Sequence, residues 1–265
     1  MLRIETAHED FEERILPMDL SRWLIVIPAR LHSERLPRKP LADLAGRPLI
    51  VRVYENLKPL EERGARLIVA VDHGDTARAC EAFKVPFMMT KETHQSGTDR
   101  CAEVSDQFPA HPLILNVQGD EPFVNLDDLL ALMNAMGNHH HLMGTLGHDR
   151  SDRRGYEDPN VVKVARADDG HAVYFSRAPI PFDRDASRDK SLPIRYIQHV
   201  GVYAFRRDGL KAFCSLPPSA LERTEKLEQL RAIERGWKIH VATATTPSVG
   251  IDTPEDLKVA REMLR

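Results

Sequence analysis

The sequence predicts an α/β fold with a mixed, mostly parallel central sheet. Three observations carry that prediction. The runs Trp23–Ile27, Arg66–Val71 and Leu113–Val117 are apolar throughout but for Arg66 and Asn116 and do not alternate, as strands covered on both faces are. Stretches with helical spacing lie between them. The two kinds of segment alternate through the first half of the chain, the order that βαβ units produce.

Pro86–Met88 is a further strand of that half, and Pro48–Leu57, Asp75–Phe83 and Thr98–Phe108 read as its helices. Pro48 suits a first helical turn, where its missing N–H costs little. Ligands in such sheets bind beyond the carboxyl ends of the strands. Residues 28–40 and Gln118–Pro122 both begin at such ends, so they are expected to face one cleft. In the second half Val161–Ala165, Ala172–Phe175, Ile197–Phe205 and Lys238–Ala244 are strand-like, with long polar connections between some of them. Helices are expected at Ser219–Arg235 and Pro254–Leu264. In the first, Leu221, Leu227, Leu230 and Ile233 form an apolar stripe, with Glu222, Glu225, Glu228 and Gln229 off it or at its edge. No repeat or low-complexity linker divides the chain, so residues 21–265 are read as one domain. Residues 1–20 are read as an extension, an appended amphipathic helix, with disorder the competing reading and a partner-binding segment a third.

The chain has 265 residues, 42% hydrophobic and 29% charged, with a net charge of −3. That balance argues against a nucleic-acid coat and makes any positive site a local one. Cys80, Cys101 and Cys214 are odd in number and form no CxxC pair, which points to free thiols and a reducing compartment. No apolar run approaches the roughly 20 residues of a membrane span. The N-terminus carries acids where a signal peptide needs an apolar core, so a cytoplasmic protein is expected.

The chemistry concentrates in a few strings. After the first strand, IPARLHSERLPRKPL places Arg30, Arg35, Arg38 and Lys39 among Pro28, Pro37 and Pro40. Prolines restrict the loop, and arginine forks with a lysine point charge suit phosphate oxygens. A solvated basic loop is the competing reading. Neither GxGxxG nor GxxxxGK[ST] occurs, which removes the simplest dinucleotide and Walker-loop readings, and with the first of them a dehydrogenase. In NVQGDEP, Asp120 stands at a strand's carboxyl end, where a carboxylate can hold Mg²⁺ or simply serve a turn. Asp252, in VGIDTP, precedes the last helix. Thr253 with Pro254 and Glu255 can cap that helix instead, leaving Asp252 for another task. HQSGTDR enters a helix whose free N–H groups suit an anion or a base edge, or whose start is merely capped by Thr98. His199, Gly201 and Tyr203 alternate along a strand and share a face, as a sugar pocket or a solvent-facing side would have them. His139-His140-His141 does not converge well on one ion, and no second ligand group is evident.

Together the strings IPARLHSERLPRKPL, HQSGTDR, NVQGDEP, YFSRAPIPFDRD, HVGVY, TEKLEQLR and GIDTPEDL, in this order over residues 22–265, resemble the CMP-Kdo synthetase family, the 3-deoxy-manno-octulosonate cytidylyltransferases. The resemblance implies a nucleotide-diphospho-sugar transferase-like fold and commonly a homodimer. It implies transfer of CMP from CTP to 3-deoxy-D-manno-octulosonate (Kdo) with Mg²⁺ and release of pyrophosphate, for lipopolysaccharide core synthesis. By matching motif, Arg30, Arg35 and Lys39 contact the triphosphate. Ser96, Gly97 and Arg100 handle the nucleotide, and Asp120 and Asp252 bind the metal. Gln118, Arg177, His199, Tyr203, Glu228 and Gln229 receive the sugar acid. Two positions depart from the family: Glu34 stands where a small residue is common, and Arg38 where glycine is. A cation at a usual glycine narrows the backbone and either alters loop closure or adds a phosphate contact. An 8-amino relative of Kdo or a sialic acid is an alternative substrate. A nonenzymatic nucleotide-sugar sensor is a rival of another class, disfavoured by the two aspartates.

Overall fold

The computed structural model describes residues 18–33, 35–138, 141–247 and 249–264. The N-terminal extension up to residue 17 and Glu34 lie outside them. The apolar runs become β1 (Trp23–Ala29), β2 (Arg66–Val71), β3 (Phe87–Met89) and β4 (Leu113–Val117). Strands β1, β2, β3 and β4 pair in parallel, and every residue of β1 is buried. Alternate β1 side chains feed two cores. Trp23, Ile25 and Ile27 pack on one face of the sheet, and Leu24 and Val26 on the other.

The sheet continues through β5 (Met143–Arg150), β8 (Tyr196–Arg206) and β9 (Ile239–Ala244), with a hairpin of β6 (Lys163–Arg166) and β7 (Ala172–Ser176) hung on β8. The order is β3-β2-β1-β4-β8-β5-β9. Only β8 opposes its neighbours in that path, so the expected mixed, mostly parallel sheet is present. Helices α1 (Leu49–Glu62), α2 (Gly74–Ala82), α4 (Leu126–Asn138) and α9 (Pro254–Met263) cover one face. The other face is covered by α3 (Gly97–Gln107), α6 (Arg207–Ser215) and α8 (Leu230–Ile233). Two further short helices are α5 (Arg153–Glu157) and α7 (Ala220–Glu225). Among the described residues no helix is long and apolar enough to cross a membrane. The three cysteines are free.

Several expectations need correction. Strand β5 was not legible, because MGTLGHDR holds two glycines and ends in charge. Those glycines are needed for packing: a Cβ on Gly144 would meet Met136 Sδ at 2.8 Å, and one on Gly147 would meet Ile197 Cγ2 at 2.7 Å. Helices α4 and α6 were also missed. The single helix expected over Ser219–Arg235 is broken, because Lys226 adopts a left-handed conformation at φ 55° and ends α7. The break turns Glu228 and Gln229 inward. Strand β8 is irregular as well: its register against β5 slips between Thr145 and Leu146. Finally, His141 does have ligand-type neighbours, His171 and His240, although none was evident in the sequence. His139 and His140 lie outside the described residues.

Candidate active site

A cleft of about 730 Å³ opens at the carboxyl ends of β1 and β4. The basic loop and the Gln118–Asp120 turn both line it, as strand polarity requires. Two close approaches shape the floor. A Cβ on Gly119 would stand 2.7 Å from the Pro28 carbonyl oxygen, and one on Gly97 would stand 3.0 Å from Pro28 Cγ. Only glycine lets these turns lie so close to the end of β1.

Five charged side chains of the cleft form one constellation. Lys39 Nζ donates to Asp120 Oδ2 at 2.5 Å and to Asp252 Oδ1 at 2.9 Å. Arg35 Nη2 reaches Asp252 Oδ1 at 3.0 Å. Arg30 lies beside them, donating to the Gln95 carbonyl at 3.3 Å. Burial disfavours the charge on Lys39, but Asp120 and Asp252 more than offset it, and its pKa lies above the usual lysine value. Asp252 reaches this point because Ile251 N–H donates to the Asp120 carbonyl at 2.9 Å. Thr253 caps α9 with a full capping box to Asp256, so the Asp252 carboxylate is spared that duty, as the sequence suggested.

Three cations against two carboxylates leave a net positive wall for an anion. The aspartates also fit a divalent ion: their oxygens already share one cation, the Lys39 ammonium. Two carboxylates suit Mg²⁺, which takes its remaining ligands from phosphate and water.

The HQSGTDR loop is placed differently from expectation. Ser96, not Thr98, caps α3, with a capping box to Asp99. Thr98 Oγ1 donates instead to Glu228 Oε2 at 2.9 Å. Gly97 lines the cleft. Arg100 is not brought to it. It is buried, and its guanidinium donates to Asp72 Oδ2 at 2.9 Å, Thr90 Oγ1 at 2.9 Å and the Lys91 carbonyl at 2.8 Å. Asp72 Oδ1 in turn accepts from Leu31 N–H at 3.0 Å. Arg100 therefore acts on the basic loop through Asp72. Sequence reasoning missed Asp72. Its one signal was its position directly after β2, at a strand's carboxyl end.

Arg38 is turned away from the cleft. It adopts φ 56°, ψ 34°, the left-handed region that favours glycine, and its guanidinium pairs with Asp75 at 2.6 Å. In the free protein its guanidinium is thus engaged outside the cleft.

Of the residues expected at the sugar, Gln118 lines the cleft, whereas Arg177, His199, Tyr203, Glu228 and Gln229 are not among the residues lining it. Gln118 lines the cleft beside Gly97, and its amide donates to Asn116 Oδ1 at 2.9 Å. Glu228 is linked to α3 through Thr98, and burial raises its pKa above the usual carboxylate range. Its Oε1 and the neighbouring Gln229 Nε2 are buried without hydrogen-bond partners. Glu228 Oε1 still lies 3.9 Å from Arg231 Nη2, and buried polar atoms lacking hydrogen bonds call for a partner such as water or a ligand. His199 and Tyr203 lie ring to ring with centroids 5.4 Å apart, so they share a side as expected. Burial pushes His199 down to about 3 and raises the Tyr203 phenol, so both are neutral at pH 7. Thr145 Oγ1 spends its proton on the Val202 carbonyl at 2.7 Å and lies 3.0 Å from His199 Nε2. With the Thr145 proton assigned to the Val202 carbonyl, the ring donates from Nε2 and keeps Nδ1 as an acceptor. Arg177 is held by backbone carbonyls: Nε donates to that of Glu225 at 2.8 Å and Nη1 to that of Pro159 at 3.0 Å. The Arg177 carbonyl itself accepts from Lys163 Nζ at 2.9 Å. Lys163 is a fully buried lysine that no sequence pattern marked.

The family model described as Cytidylyltransferase matches residues 24–239. The chain is 42% identical over 246 residues to 3-deoxy-manno-octulosonate cytidylyltransferase of Polynucleobacter necessarius subsp. necessarius (strain STIR1), covering 91% of this chain and 95% of that one. It is 42% identical over 253 residues to the enzyme of the same name from Vibrio cholerae serotype O1 (strain M66-2), covering 91% and 97%. The solved structure of CMP:2-keto-3-deoxy-manno-octonic acid synthetase complexed with CTP superposes with a TM-score of 0.83 at 38% identity, covering 91% of this chain and 98% of that chain.

Proposed function

The chain belongs to the cytidylyltransferase family, and on that premise we propose that it transfers CMP from CTP to the anomeric hydroxyl of Kdo and releases pyrophosphate. The observation that carries this reading is the cleft where Lys39 joins Asp120 and Asp252 beside Arg35 and Arg30. Relatives named for this reaction share about two-fifths of the sequence across nearly the whole chain.

The reaction brings two anions together. CTP carries about four negative charges near neutral pH and Kdo one carboxylate, so charge compensation and positioning are the main tasks. The anomeric oxygen forms a bond to the α-phosphorus. The bond from that phosphorus to the bridging oxygen breaks, and its electron pair leaves on pyrophosphate. The hydroxyl proton passes to solvent. Arg30, Arg35 and Lys39 offset the charge that grows on the leaving group. Arg35 and Lys39 are held by carboxylates in the free protein and can exchange those partners for phosphate oxygens. Asp120 and Asp252 would hold Mg²⁺, which when bound would supply Lewis-acid chemistry. Ser96 and Gly97 present the start of α3 to the nucleotide, and Arg100 steadies the basic loop through Asp72. On the sugar side, Gln118, Glu228, Gln229 and Tyr203 offer hydrogen bonds to hydroxyls. His199 offers a neutral acceptor, and Arg177 adds positive charge for the carboxylate. The reading also includes a homodimer in the cytoplasm.

A pyrophosphate-release assay tests it, with CTP, ATP, GTP and UTP crossed against Kdo, 8-amino-Kdo and a sialic acid. Turnover is expected with CTP and Kdo in the presence of Mg²⁺. Turnover confined to another pair would replace the substrate assignment, and none with any pair would return the protein to the nucleotide-sugar sensors.

A further inference from the structure

Three histidines from distant parts of the chain meet at the end of the sheet away from the cleft. His141 lies just before β5, His171 just before β7, and His240 near the start of β9. The backbones of His171 and His240 form an isolated antiparallel bridge, so their approach is built into the chain path. All three are partly buried, and their ligating nitrogens lie within 4.8 Å of one another. His171 Nε2 stands 3.4 Å from His141 Nδ1. Two nitrogens on one tetrahedral zinc, each at about 2.0–2.1 Å, are separated by roughly 3.3–3.4 Å. That edge already exists here. The wider separations close by side-chain rotation through an ångström or so.

The surroundings support ligation. Asp169 Oδ2 lies 3.1 Å from His171 Nδ1, a charge behind the ring although the two atoms are not in hydrogen-bond geometry. At established sites a carboxylate behind a metal-bound imidazole fixes its tautomer and raises its basicity, a role that a small rotation of the ring on ligation gives Asp169. Asp169 is itself braced by Lys238 Nζ at 3.3 Å. The rings of His141 and His240 stack with centroids 4.8 Å apart, and His171 meets His141 edge-on at 5.1 Å. Imidazoles are borderline ligands that suit Zn²⁺ and neighbouring transition metals, not Mg²⁺.

We propose that His141, His171 and His240 form a transition-metal site, suited to Zn²⁺, that ties the β6–β7 turn to the amino ends of β5 and β9. Three protein ligands leave one position for water. The site needs no nucleotide and does not depend on the reaction proposed above. Its structural effect falls on β7, the strand that ends in Ser176 and leads to Arg177.

The test uses the whole chain, without a histidine tag and stripped with chelator. Zn²⁺ is titrated against a chromophoric competitor in excess Mg²⁺. One equivalent is expected to bind. His171→Gln and His240→Gln should each weaken binding by about 100-fold or more, and Asp169→Asn by about 10-fold, in line with the loss of ligands and their supports. Co²⁺ should give the intense visible bands of a tetrahedral ion with the unaltered chain, a readout independent of whether any variant folds. The double variant Asp120→Asn/Asp252→Asn should bind Zn²⁺ as before. A pale octahedral Co²⁺ spectrum or no saturable Zn²⁺ binding would overturn the proposal. So would binding undiminished in both histidine variants, since the consecutive tract 139–141 would then hold the ion alone.

Discussion

Replacing Asp72 with alanine strands the Arg100 guanidinium in the protein interior. The two side chains are 1% and 5% exposed, and they meet at 2.9 Å. Removing one partner of a buried pair costs about 3–5 kcal/mol, because the remaining charge keeps its desolvation penalty. Arg100 retains Thr90 Oγ1 and the Lys91 carbonyl, so the lower end, about 3 kcal/mol, is expected. For a chain of this size each kcal/mol moves the melting temperature by about 2–4 °C. The expected fall in Tm is therefore about 6–12 °C by calorimetry. The site should respond separately. Leu31 N–H loses its acceptor, the basic loop loosens, and the KM for CTP rises. Adding Arg100→Met removes the stranded charge and should restore most of the lost stability, while the KM stays raised. A Tm change in Asp72→Ala of less than about 3 °C, under about 1 kcal/mol, would refute the buried-pair reasoning. Recovery of the KM in the double variant would refute the loop-holding role of Asp72.

Other outcomes follow from the same geometry. Asp120→Asn should lower kcat by about 100-fold or more, the scale of one electrostatic contribution, while CTP still binds; near-normal pyrophosphate release would remove Asp120 from the mechanism. Gly119→Ala places a Cβ 2.7 Å from the Pro28 carbonyl, and the resulting shift should cost about 1–3 kcal/mol in denaturant unfolding and displace Asp120; an unchanged midpoint would show that the turn moves freely. His199 is neutral in the fold down to about pH 3 but titrates near 6.5 when unfolded. Its contribution is complete above pH 6.5 and is lost as pH falls, at about 1.4 kcal/mol per unit. Glu228 runs the other way, since its raised pKa makes the folded chain bind a proton more readily. Comparing unfolding of the unaltered chain and His199→Gln from pH 7 to pH 5 isolates the histidine. The variant should lose less stability on acidification, and parallel profiles would contradict burial of that ring.

How much was legible depended on how local the cause was. Continuous apolar runs gave β1, β2 and β4, because burial on both faces removes polar alternation. Strand β5 was invisible, since its Gly144 and Gly147 answer to Met136, Ile197 and Val241, neighbours that no window of sequence contains. The helix expected over Ser219–Arg235 had the right stripe, yet Lys226 breaks it, which no propensity argument forces. The Ser96 cap was misassigned to Thr98 because both residue types can cap, and only the fold shows that Thr98 is engaged by Glu228.

By itself the sequence determined a parallel α/β core, a basic loop after its first strand, and acids at the ends of other segments. Those features rest on side-chain chemistry and short-range periodicity, which a chain carries wherever it folds. Tertiary structure alone decided that Lys39 lies between Asp120 and Asp252, the latter 213 positions away, that Arg100 turns inward to Asp72, and that His141 meets His171 and His240. Such meetings depend on strand order and on single backbone contacts like Ile251 to Asp120, whose energy exists only once the sheet has assembled.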